Sequence, residues 1–204
     1  MNGPLESNPD RFVRIVIVTW LSILLSGAIA QPAMAENNDE ITACGAVTSG
    51  EAEGFVGGPL DVAKVDKKIM INAPWTHDSF CTYISKGENP DAPAGAGRFL
   101  DVALRFFESP DTAQKIHDGM IEQYRKLAAA ADAPFKFITL EPLDGFADKA
   151  FLFEVIADPA GEFKSAQILF YKGKVGGSIA AWKKPDSSLE TTKSVLKHIL
   201  SKLP

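Results

Sequence analysis

The sequence predicts an α+β domain: an antiparallel β-sheet of about six to seven strands packed with two to three helices, in the order α-βββ-α-ββββ-α. Three observations carry this expectation. Apolar residues alternate with polar ones in several separate runs, which is the signature of strands with one face buried. Most of these runs follow one another through turn-forming Gly, Pro and Asp residues, so the strands pair as hairpins rather than through helical crossovers. Only three segments join a capping signal to helical spacing of apolar residues.

The chain opens on a targeting signal. Arg11 and Arg14 introduce the apolar run Val13 to Ala30, and Ala33-Met34-Ala35 supplies small residues at the cleavage positions. Residues 1–35 therefore read as a cleaved signal peptide, residues 36–43 as a disordered acidic N-terminus, and residues 44–204 as a single disulfide-stapled domain, periplasmic or secreted. Retention of the apolar run as an anchor is the alternative, and no second run approaches the length of a membrane span. The formal charge is −5, and the charges lost with the signal (Glu6, Asp10, Arg11, Arg14) cancel. No Lys/Arg cluster interleaves with aromatics, which argues against a nucleic-acid partner.

Cys44 and Cys81 are the only cysteines. Ile41-Thr42-Ala43-Cys44 superficially fits a lipoprotein cleavage box, but the acidic stretch Glu36 to Glu40 separates it from the apolar run that such a box must abut. Two cysteines in an exported chain most often pair. Zinc is disfavoured because two thiols lack a nearby histidine pair at ligand spacing, and a nucleophilic thiol would have to be free.

Thr48-Ser49-Gly50-Glu51 is a capping box that starts a short helix, which Gly57-Gly58-Pro59 ends. Gly50 and Gly54 weaken this helix, so packing and the adjacent disulfide must hold it. Lys68 to Asn72 and Phe80 to Ile84 read as strands, with Pro74 in the break between them. Lys86 to Arg98 is a Gly/Pro-rich hairpin loop and a natural partner-contacting element. Leu100, Val102, Leu104 and Phe106 alternate with Asp101, Ala103 and Arg105, predicting a sheet covered on one face. Ser109-Pro110-Asp111 starts the strongest helix, with Ala113, Ile116, Met120, Tyr124 and Leu127 on its apolar side. Strands follow at Phe135 to Leu140, Ala150 to Ile156, Ala166 to Lys172 and Val175 to Trp182, with turns at Asp158 to Gly161 and Lys172-Gly173-Lys174. A second capping box, Ser187 to Glu190, opens a terminal helix with Leu189, Val195, Leu196, Ile199 and Leu203 inside.

Cys44, Val47, Thr48, Glu51 and Ala52, then Cys81 and Tyr83, then Gly145-Phe146-Ala147-Asp148 with Ala150, form a pattern. It resembles a broad family of uncharacterised bacterial secreted and lipoprotein domains. The resemblance implies a PsbP/Mog1-like α+β fold, a disulfide between the two cysteines, and no established catalytic centre. The chain departs from the family in lacking a lipobox at the signal cleavage point, and in carrying Ala147 where such domains usually have glycine.

Candidate sites compete with plainer accounts. Trp75, Tyr83, Tyr171 and Trp182 lie on or beside predicted strands, and with Arg98 at the loop end they outline a groove for a small apolar or anionic ligand. Trp75, Arg98, Tyr171 and Trp182 are the candidate ligand-binding residues; core packing is the competing account for Tyr83 and Trp182. Gly176-Gly177-Ser178-Ile179-Ala180 resembles a nucleophile elbow, with His198 and Asp186 nearby in sequence, but the segment continues as a strand instead of turning into a helix. His77, His117 and His198 are the only histidines and read as surface or edge residues; Asp144 and Asp148 read as turn residues rather than an acid–base pair. The leading expectation is a non-enzymatic envelope domain, without cofactor or metal, that binds a partner protein or small ligand. A small serine hydrolase using Ser178 is the alternative.

Overall fold

The structure is a computed structural model, and it describes residues 41–69, 73–85, 98–130, 136–156, 164–182 and 188–204. The signal-peptide reading, most of the loop 86–98, the turn at Asp158 to Gly161 and the cap at Ser187 lie outside these residues. Among the described residues, no helix is long and apolar enough to cross a membrane.

The elements are α1 (Ala43–Ala46), α2 (Ser49–Val56), β1 (Leu60–Ile69), β2 (Trp75–Ser85), β3 (Phe99–Phe107), α3 (Pro110–Ala129), β4 (Lys136–Pro142), β5 (Lys149–Ile156), β6 (Lys164–Lys172), β7 (Val175–Trp182) and α4 (Ser188–Lys202). The strands form one seven-stranded sheet in the order β1-β2-β3-β7-β6-β5-β4, antiparallel throughout. Two meanders, β1 to β3 and β4 to β7, meet where β3 pairs with β7. The α+β class and the order of elements are those the sequence predicts, with the single turn of α1 added in front.

Two element boundaries differ from expectation. β1 begins at Leu60 rather than Lys68, because Asp61, Lys64, Asp66, Lys67 and Lys68 obscure the alternation. Charge of this kind suits an edge strand, which must resist pairing with other chains. β2 begins at Trp75 instead of Phe80, and a bulge between Trp75 and His77 resets its faces.

On one face of the sheet, α1, α2 and α4 bury the main core. Leu100, Val102 and Leu104 of β3, Ala150 and Leu152 of β5, and Ile168 and Phe170 of β6 meet Val195, Leu196 and Ile199 of α4. Three alternate residues of β2 hold the N-terminal segment onto this face. The Ser79 hydroxyl oxygen accepts from the Ala43 amide at 2.9 Å, Cys81 is disulfide-bonded to Cys44 with Cα atoms 5.2 Å apart, and the Tyr83 hydroxyl donates to the Val47 carbonyl. Burial, reinforced by the Glu51 charge, pushes the Tyr83 phenol up to about 12, so it remains a donor at any ordinary pH.

The capping box forms as the sequence predicts. The Thr48 amide donates to Glu51 Oε2 at 2.7 Å, and the Glu51 amide to the Thr48 hydroxyl at 3.4 Å. The Glu51 carboxylate also meets Lys202 Nζ at 2.8 Å and His198 Nε2 at 3.0 Å, tying α2 to α4. Lys202 above all, with the Thr48 amide, holds its pKa down to about 2.

The opposite face is covered as well, contrary to the one-sided sheet that the alternation in β3 suggests. Helix α3 packs there over Phe151, Phe153 and Leu169 through Ile121 and Tyr124. The nearly continuous apolar runs of β5 and β6 are the reason, since both of their faces are buried. Helix α3 begins as expected, with the Ser109 hydroxyl oxygen accepting from the Thr112 amide at 3.1 Å. Its buried stripe is Ala113, His117, Ile121 and Tyr124, one step round from the apolar stripe read in the sequence.

Gly145-Phe146-Ala147-Asp148 proves to be a structural turn. Asp148 accepts from the Gly173 amide at 2.6 Å, and its own amide donates to the Tyr171 carbonyl at 3.0 Å, so it clamps the β6–β7 hairpin. Ala147 has φ 53°, the left-handed region that costs an L-residue with a side chain about 1–2 kcal/mol.

Two predictions follow from this architecture. Replacing Cys44 and Cys81 together with Ala removes the closure of a loop with sequence separation 37. The chain-entropy model puts that at about 3–4 kcal/mol. Thermal melts should show a lowered Tm that a reducing agent reproduces on the parent protein; an unchanged Tm in both experiments would remove the staple. Ala147→Gly relieves the left-handed strain, partly offset by the greater freedom of glycine in the unfolded chain, for a net gain of up to about 1 kcal/mol. Ala147→Val should lose stability in the same melts, and the opposite ranking would mean the turn is unstrained.

Candidate functional site

The α3 face carries a feature with the makings of a site. The sheet positions under the second and third turns of α3 hold Ala103, Gly176 and Ser178, which lack the bulk to reach the helix. The result is a half-open cleft of about 50 Å³, walled by Phe80, Phe107, Leu169 and Tyr171 and bordered on the helix by Ile116, His117 and Met120. Gly176 is required there, because a Cβ on it would lie 2.8 Å from Phe107 Cε2. Gly177 faces the other way, where a Cβ would lie 2.5 Å from the Ala103 carbonyl and 2.8 Å from the Phe170 ring. The Gly-Gly pair thus serves close packing.

Asp78 and Arg105, directly opposite one another on β2 and β3, line the same cleft. Arg105 Nε donates to Oδ1 at 2.7 Å and Nη2 to Oδ2 at 2.9 Å, a two-pronged pair in which Asp78 is 1% and Arg105 12% exposed. The far side of the guanidinium is stacked on Trp75, 4.0 Å from the ring centroid. His117 is buried against the edge of Tyr171 at 5.2 Å, and Asp118 faces its Nδ1 at 3.5 Å. Burial pushes its pKa down, opposed by Asp118 and by the backbone of Leu169. Asp118 is itself ion-paired to Lys149 at 2.7 Å.

The four residues singled out in the sequence fall into two pairs. Trp75 and Tyr171 meet in one apolar cluster with Phe107 and Ala113. Trp75, read from the sequence as a groove residue, is 5% exposed and belongs to the core, because the bulge turns it under α3. Arg98 lies at the other end of β3, with its guanidinium against the turn at Gly58, where a Cβ would lie 2.5 Å from Nη2. The Trp182 backbone is paired with Phe99, also at that end. Eight residues of strand, about 27 Å at roughly 3.4 Å per residue, separate the two pairs. The cleft gathers Tyr171, while Trp75 backs the Arg105 guanidinium.

Ser178 sits mid-strand in β7, paired between Ala103 and Leu169 and facing α3. His198 lies on α4 across the sheet, where it contacts Phe55 and Glu51, so Ser178 and His198 do not share a site. Two of the three histidines are not surface residues. His77 is buried and stacked on Phe106 at 4.1 Å, and His117 lies in the buried stripe of α3. Among the described residues, no three His, Cys, Asp or Glu side chains come together as a metal site. Asp78, Arg105 and His117 went unrecognised as cleft residues. The available signal was Arg105, a charge between Leu104 and Phe106 within a strand; Asp78, between His77 and Ser79 and ahead of the strand read from the sequence, gave none.

No known protein-family model matches the chain, and no curated protein matches it. Among solved structures it is similar to the extracellular domain of PknH from Mycobacterium tuberculosis, with a TM-score of 0.61 at 10% identity, covering 85% of this chain and 98% of that one. At that identity the likeness is one of fold. It supports the PsbP/Mog1-like α+β architecture implied by the sequence resemblance, and the Cys44–Cys81 disulfide is present.

The buried ion pair gives a further prediction. Asp78→Ala strands the Arg105 charge under Trp75 and should cost roughly 3 kcal/mol, the low end for a broken buried pair because Arg105 keeps some contact with solvent. Replacing both residues, Asp78→Leu with Arg105→Met, should recover most of that loss in chemical denaturation. A double variant no better than the single would show that the pair itself holds β2 to β3.

Proposed function

We propose that the protein is an exported, non-enzymatic domain of the cell envelope, periplasmic or secreted, that binds a small ligand in the cleft between α3 and the sheet. The carrying observation is that half-open cleft, apolar on its walls and crossed by a two-pronged ion pair, which has the composition of a ligand pocket. Export accords with the disulfide, which persists in oxidising compartments, and with the fold shared with an extracellular domain. The non-enzymatic reading is supported by the mid-strand setting of Ser178, which is not the strand-to-helix turn that exposes a nucleophile.

Native mass spectrometry of the protein recovered from its own envelope fraction, with the denatured mass of the same sample, tests this reading. An added mass that disappears on denaturation is expected, and an Ala103→Leu variant, filled at the cleft floor but still folded by its melt, should lack it. A bare parent protein would turn the function towards a protein partner.

A further inference from the structure

Resting on that reading of the cleft, we infer that its ligand is an uncharged amphiphile, which inserts a slender chain end bearing a hydroxyl or amide and hydrogen-bonds it to the Ser178 hydroxyl. Charge, an unused hydroxyl and size each point to this ligand.

Among the described residues, the charged side chains lining the cleft are Asp78 and Arg105, which neutralise each other through two short hydrogen bonds, while burial pushes the pKa of His117, the remaining titratable group there, down. A ligand anion entering here would lose its water and face the Asp78 carboxylate, while Arg105 already directs Nε and Nη2 to Asp78. A ligand cation would meet the guanidinium under the same penalty. Either charge would be buried without a partner of its own, which is far costlier than burying a neutral polar group that is hydrogen-bonded. The second cation considered for an anionic ligand, Arg98, lies at the far end of β3.

The Ser178 side chain is 7% exposed, lines the cleft and makes no hydrogen bond among the described residues. Its register partners, Ala103 and Leu169, bring no polar side chain to it. The residue lines the cleft, so a ligand group that donates to its hydroxyl or accepts from it can take the place of water there. Serine at this position, between Gly177 and Ile179, sets a polar point in the floor, and His117 Nε2, buried without a hydrogen-bond partner among the described residues, sets another on the helix side.

Size completes the description. One water needs about 10–15 Å³ measured in this way, and a cavity of about 150 Å³ holds benzene. A volume of about 50 Å³ therefore admits a hydroxyl or amide with a few carbons behind it, and the half-open mouth leaves the rest of the ligand outside. Ile116 and Met120, both partly exposed on α3, flank the opening with Phe80 and give the rest of an apolar chain a surface to lie on.

The test uses purified protein carrying ¹³C-methyl methionine, with Met120 as the reporter, titrated with 1-pentanol, pentanoate and pentylammonium. These share one slender chain and differ in the charge of the tip. Pentanol should move the Met120 methyl resonance along a saturable curve, with both ions at least ten-fold weaker. Ser178→Ala should weaken pentanol three- to ten-fold, the worth of one hydrogen bond. Pentanoate or pentylammonium binding as tightly as pentanol would overturn the uncharged ligand while leaving the cleft as the site. Equal pentanol affinity in a folded Ser178→Ala variant would remove Ser178 as the anchor. Should that variant not fold, the ranking of the three probes on the parent decides the matter. If no probe moves Met120, both this inference and the cleft reading fall.

Discussion

Everything on the main-core face depends on one column of three side chains on β2. Ser79, Cys81 and Tyr83 point the same way because a strand repeats every two residues, and each takes hold of a different point of the segment from Ala43 to Val47. A disulfide by itself is a pivot. Hydrogen bonds on both sides of it turn the pivot into a fixed seat, which is why four residues can form the helical turn α1, far below the length at which a helix stands alone. From that seat, Thr48 starts α2 and Glu51 carries the constraint onward to α4 through Lys202 and His198. The two ends of the described domain are thereby closed over a single core.

The cleft lies on the other side of the sheet. There one helix, α3, must cover strands of unequal bulk. Over β5 and β6 it meets phenylalanine and leucine and packs closely. Over β3 and β7 it meets alanine, glycine and serine, and a gap remains. The cleft is therefore a consequence of side-chain volume, produced by three small residues brought side by side through antiparallel pairing. Its polarity has an equally local origin, since the bulge between Trp75 and His77 puts Trp75 and Asp78 on this face, with Trp75 against the guanidinium that Asp78 binds.

The likeness to an extracellular domain at 10% identity is one of fold. Alternation, hairpin turns and caps are satisfied by many sequences, so a fold of this kind survives almost complete replacement of its residues. What a particular chain does is written in the few positions where it departs from filling space. In the cleft proposed as the ligand site, those are Ser178, Asp78 and Arg105.

The sequence by itself determined the class, the order of elements, the start of α3, the capping box and the partnership of the two cysteines. Each is a local property or, for the cysteines, a matter of having one possible partner. It also pointed to Tyr171, which reaches the cleft. Only the tertiary structure decided that Trp75 is buried, that Arg98 lies far from it, that the sheet is covered on both faces, and that His117 and the Asp78–Arg105 pair converge. The physical reason is register. Asp78 and Arg105 are 27 positions apart in the chain, and nothing local in either segment reveals that antiparallel pairing sets them opposite one another.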